Sequence, residues 1–138
     1  MNSEAGRVEH LKLIQGVVDR LSRNSFAVKS VATATTAALV AFTAGTESPA
    51  AALAGVAVVP LWVLDAFFLD RERGFRRLYD SVRRCAPVEH GHDTYFTMEV
   101  PAAGHPHGLL RAALSASLSL FYASLLALTA VSALSTLI

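Results

Sequence analysis

The chain has 138 residues, of which 53% are hydrophobic and only 17% charged, well under the roughly 25% charged residues of soluble domains. With a formal net charge of +1 and a single cysteine, Cys85, it has no intramolecular disulfide framework, and no nucleic-acid partner is expected. The apolar residues are contiguous: 30–46, 48–64 and 112–138 contain no Asp, Glu, Lys or Arg, and about 20 apolar residues suffice for a helix to cross a bilayer.

Residues 1–25 mix charge with apolar side chains throughout, unlike a secretory signal, so no cleavage is expected. Within them Val8, Leu11, Ile14, Val18 and Leu21 recur at helical spacing, which predicts an amphipathic cytoplasmic helix over 8–23. Asn24-Ser25 then offers an N-cap for a first span at 26–46. That span is rich in Ala and Thr, with Ala32/Thr36 and Ala37/Ala41 at the spacing that lets helix backbones approach closely in lipid. A second span is expected at 49–69, carrying Ala51/Gly55 at the same spacing.

Beyond Asp70 the helical pattern continues through Phe75, Leu78, Tyr79 and Val82, so a cytoplasmic extension is predicted over 70–85, ended by Pro87. It can pair with the helix at 8–23. Residues 86–108 form a cytoplasmic loop with a β-prone stretch at 94–100. A third span is placed at 110–134, with Tyr122 in mid-membrane needing a partner on a neighbouring helix.

The twelve Lys and Arg residues set the topology. They precede the first span, follow the second, and end with Arg111 at the start of the third. Basic residues beside spans stay in the cytoplasm. The expected fold class is therefore all-α, an integral membrane helical bundle with three spans, N-in/C-out, spans one and two extended by cytoplasmic amphipathic helices. Multi-pass membrane insertion follows, and a homo-oligomer is expected because three short Ala/Ser/Thr-rich spans make a thin bundle.

Asp65 is the single acidic residue placed inside a span, where an ionised carboxylate costs about 2.5–3.5 kcal/mol at the helix centre and less toward the edge. Lys29 and Arg111 open the other spans at similar depth and are its natural partners. The residues singled out for a polar network at the cytoplasmic interface are Asn24, Ser25, Lys29, Asp65, Glu72, Arg73 and Arg76. His90, His92, His105 and His107, with Glu89 and Asp93, have types that bind zinc, but their spacing matches no standard site and solvated loop histidines are expected. There is no Gly-rich phosphate loop, nucleophile elbow or zinc-protease helix, so neither catalysis nor a cofactor is expected.

EHLKLIQGVVDRLSRNSFAVKS at 9–30, PLWVLDAFFLDRERGFRRLYDSV at 60–82, and YFTMEV at 95–100 followed by LFY at 120–122 together resemble a family of small bacterial three-span membrane proteins. Its layout is similar to that of short transmembrane effectors of prokaryotic immunity. Where relatives often carry Trp early in the first span, this chain has Ser30-Val31. The resemblance implies a family core of His10, Gln15, Arg20, Asn24, Ser25, Phe26, Lys29, Asp65, Glu72, Arg73, Phe75, Arg76 and Tyr79. The leading expectation is a non-enzymatic, homo-oligomeric effector that perturbs the inner membrane. The alternatives are an anchor or scaffold recruiting a cytosolic protein partner through residues 71–108, and, more weakly, an ion or proton carrier centred on Asp65.

Overall fold

A computed structural model describes residues 3–43, 50–84, 98, 100 and 106–135. Four helices account for nearly all of them: α1 Ser3–Thr43, α2 Ala50–Arg84, α3 Pro106–Ala113 and α4 Ala116–Ser135. Three are long and apolar enough to cross a membrane: α1, α2 and α4. The third of these has 20 residues, about 30 Å of helix and the thickness of a bilayer's hydrocarbon.

The amphipathic segment expected at 8–23 and the first span are one unbroken helix. Asn24-Ser25 is therefore no N-cap. A cap residue needs non-helical backbone, whereas here the apolar stripe passes straight from Ile14 and Val18 to Val28 and Ala32, all buried on one face. The second span and its extension are likewise one helix, which continues through Pro60 on an exposed side.

The third span differs from expectation. Instead of one helix over 110–134 there are two, separated at Leu114-Ser115. Ser115 donates its backbone N–H to the Ala112 carbonyl at 3.1 Å, a tight turn, and its hydroxyl donates to the same oxygen at 2.7 Å. The Ala113 carbonyl instead accepts the Trp62 indole N–H at 3.2 Å. Both carbonyls at the break thus have donors, as buried backbone requires. The expected loop at 86–108 also gives way to helix from Pro106. Its β-prone stretch, Cys85, and His90, His92 and His105 lie in or beside parts outside the described residues.

Cross-helix contacts fix the directions. Ser22 meets Glu72 and Ser25 meets Asp65, so α1 and α2 are antiparallel. Tyr122 meets Asp65, and Thr129 lies against Gly55, so α4 is antiparallel to α2. Thr43 and Ser132 are 3.3 Å apart near the far ends of α1 and α4. The core is built largely from Ala32, Val58, Ala66, Ala112, Leu118, Tyr122 and Leu125. The small residues among them permit close helix approach. Of the two small-residue pairs expected on α1, Ala32/Thr36 is buried in the bundle and Ala37/Ala41 faces outward.

Antiparallel packing gathers the charges at one end. On α1 no charged residue follows Lys29, on α2 none precedes Asp65, and α4 has none. All charges of the described helices therefore lie at or beyond the level of the Lys29–Asp65 contact, on the same side. On the opposite side the described helices carry no charge and expose large apolar side chains; Phe42 and Val56 are each 70% exposed and Leu120 is 72% exposed. On the charged side α1 and α2 continue as a paired two-helix stalk, roughly 28 Å long from Asp65 to the end of α2.

Candidate functional site

The charge-free and charged parts meet at Asp65, which is fully buried. It lies on the α2 face that also buries Ala66 and Val58 and carries Trp62 toward α3. Ser25 and Lys29, one helical turn apart on α1, both reach it. The Ser25 hydroxyl donates to Oδ1, and Lys29 Nζ lies 2.6 Å from Oδ2. Lys29 Nζ also donates to Ser25 Oγ at 2.8 Å, closing a three-membered polar ring. From α4 the Tyr122 hydroxyl donates to Oδ2 at 3.1 Å. One carboxylate therefore holds donors from both other long apolar helices.

Tyr122 is itself fully buried. Its ring stacks on Trp62 with centroids 5.9 Å apart and planes 13° apart, and meets Phe121 edge-on at 5.0 Å. Trp62 thus backs the phenol that donates to Asp65 and also satisfies the carbonyl at the α3–α4 break. Packing at the break and the buried carboxylate are parts of one unit.

A second cluster lies about two turns further along α2. Glu72 accepts from the Ser22 hydroxyl at 3.2 Å and from Arg76 at 2.9 Å and 2.8 Å. The residues expected to form a single network therefore fall into two layers: Ser25, Lys29 and Asp65 in one, Glu72 and Arg76 in the other. Seven residues of helix separate Asp65 from Glu72, roughly 10 Å. Asn24 is exposed and Arg73 half-buried, and neither makes a side-chain hydrogen bond or ion pair among the described residues. Arg111, the other partner expected for Asp65, is exposed on α3 and does not reach it.

Between the layers sits Asp70, nearly buried, with Oδ1 only 2.7 Å from where a Cβ on Gly108 would stand. The carboxylate lies against the first turn of α3, the electropositive end of that helix. Gly108 is what allows α3 to come this close to α2.

Chemically, the Asp65 layer is a saturated ion pair. Ser25 Oγ donates to the carboxylate and accepts from the ammonium, so the three groups hold one another in a closed ring. Among the described residues no group of three or more His, Cys, Asp or Glu is arranged to hold a metal ion; His107 is exposed at the start of α3.

No protein-family model, curated protein or solved structure matches the chain.

Proposed function

We propose that this chain is a non-enzymatic integral membrane protein of the bacterial inner membrane, with three spans, N-in/C-out, that acts as a homo-oligomer perturbing the membrane in bacterial defence. The observation that carries the membrane part is the division of the surface at Asp65. Among the described helices one side carries no charge and exposes large apolar side chains, and the other holds every charge. Water penalises the first and a hydrocarbon layer penalises the second. The orientation rests on the basic residues all falling at that charged end.

Within one copy the interface of the spans is filled by Val58, Leu118, Tyr122 and Leu125. A leak would have to arise between copies, for which the outward Ala34, Ala37, Ala38 and Ala41 of α1 supply a face of small residues. Controlled expression with a membrane-potential dye tests this reading. Depolarisation with arrested growth is expected, and an unchanged potential at full membrane insertion would count against it.

A second reading is favoured by the stalk. Paired helices projecting beyond the charged boundary suit an anchor that recruits a cytosolic protein through residues 71–108. Pull-down through the intact, detergent-solubilised chain should then recover a stoichiometric partner, and recovery of this chain alone sinks that reading. The carrier reading gains nothing from the geometry, since both oxygens of Asp65 are already engaged.

A further inference from the structure

We propose that Arg71, held over the exposed ring of Phe67, binds the phosphate of an anionic phospholipid of the cytoplasmic leaflet. The proposal rests on the membrane reading and orientation given above.

Depth comes first. Phe67, Phe68 and Leu69, at the base of the stalk, are the last run of three apolar residues in α2, and Arg71 follows two positions later. It lies six residues beyond Asp65, roughly 9 Å along the helix. In the membrane reading that level lies just past the charge boundary at Asp65, among the headgroups.

Direction comes next. Side chains lean toward the N-terminus of their own helix, and the N-terminal part of α2 is its apolar part. Arg71 accordingly folds back one turn, its Cζ 5.2 Å from the centroid of Phe67. Phe67 is 41% exposed, so the pair faces outward and the ring fixes the guanidinium against the edge of the hydrocarbon. The arginines of α1 have the opposite lean. Arg20 and Arg23 sit on a helix whose N-terminus points away from the bilayer, and they incline toward the stalk.

The decisive question is what neutralises Arg71. Among the described residues it makes no ion pair, and each described carboxylate near it on α2 is engaged elsewhere. Asp65 holds Lys29, Glu72 holds Arg76, and Asp70 is nearly buried against Gly108 of α3. The counter-ion that a bilayer offers at this depth is the lipid phosphate, and a planar guanidinium matches its paired oxygens. Exposed Arg77 and Arg111, at the same end of the bundle, raise the positive potential around it. This favours lipids with net negative charge over zwitterionic ones.

The test uses the full chain in a neutral detergent and follows its thermal unfolding with added phosphatidylglycerol, phosphatidylcholine or inorganic phosphate. Phosphatidylglycerol is expected to raise the midpoint above the other two. Arg71→Ala should abolish that difference, Arg71→Lys should keep part of it, and Arg84→Ala at the far end of α2 should keep all of it. An undiminished phosphatidylglycerol shift in Arg71→Ala overturns the site. So does an equal shift from phosphatidylcholine, which removes the charge preference, or from inorganic phosphate, which makes it a free-anion site. Should Arg71→Ala fail to fold, Arg71→Gln is read in the same way. Alkaline washing of membranes separates the two levels. A wild-type chain that washes out overturns the membrane reading and this site with it, whereas a retained chain with an Arg71-independent shift overturns the site alone.

Discussion

Asp65 is the point where cost and compensation can be weighed against each other. A carboxylate inside a span is unfavourable by a few kcal/mol on its own, yet this one carries three donors from two other helices. Removing one partner of a buried ion pair usually costs more than the pair contributes, because the other charge is left stranded. Asp65→Asn should therefore lower stability by about 3 kcal/mol, since it strands the partly buried Lys29 ammonium. The double variant Lys29→Met with Asp65→Leu should recover most of that loss, because the Tyr122 hydroxyl has the Leu61 carbonyl 3.4 Å away as an alternative acceptor. Unfolding of the detergent-solubilised variants in SDS measures both. If the double variant is no more stable than Asp65→Asn, the stranded-charge account fails. Tyr122→Phe removes one hydrogen bond and keeps the stacked ring, so a loss of only about 1 kcal/mol is expected; a loss as large as that of Asp65→Asn would place the phenol, and not the ion pair, at the centre of the site. The sequence shows Asp65 as the lone acid in a span and Lys29 at matching depth. Tyr122 is visible there only as a hydroxyl in need of a partner, because its partner depends on the rotation of α4 about its axis, which no local pattern encodes.

At the scale of the helices, the long elements follow from an apolar stripe that keeps helical period across the boundary between their charged and charge-free parts. The same reasoning misplaces the N-cap at Asn24-Ser25, because Ser and Asn are tolerated in a helix whose flanking turns are both packed. The break at Leu114-Ser115 was not legible either. No Pro or Gly marks it, and its cause is tertiary: Trp62, fifty-one residues away, satisfies the carbonyl that the break frees. Trp62→Phe should keep the packing but leave that carbonyl without its donor, costing roughly 1 kcal/mol, measured by the same SDS unfolding; an unchanged midpoint means the break needs no indole. Two glycines give a sharper contrast. An added Cβ at Gly108 would stand 2.7 Å from the Asp70 carboxylate, whereas at Gly16 it meets nothing within 4 Å. Gly108→Ala must push α3 off α2 and is expected to destabilise, while Gly16→Ala should stabilise by up to about 1 kcal/mol through helix propensity alone. Opposite signs in thermal unfolding support this docking of α3, and equal signs refute it.

For the whole molecule, the three helices long and apolar enough to cross a membrane pack as one object with a polarity. Antiparallel packing of α1, α2 and α4 brings residues distant in sequence, Lys29, Asp65 and Arg111, to the same end, so the basic residues vote together on orientation. Had the chain two or four spans, one basic cluster would face the opposite side from the others, and the positive-inside preference would oppose insertion. In the proposed three-span, N-in/C-out arrangement, Arg7, Lys12, Arg20 and Arg23 on α1, Arg71 to Arg84 on α2 and Arg111 on α3 would all stay in the cytoplasm, while Ser135 at the end of α4 would reach the other face. A reporter fused to the C-terminus is expected to be active only if it functions outside the cytoplasm, and the same reporter inserted after Arg84 only if it functions inside. Reversal of both would mean that the charges do not set the orientation. A cytoplasmic signal from both would mean that α4 does not span, and that Tyr122 reaches Asp65 from a helix lying against the bundle on one side of the bilayer.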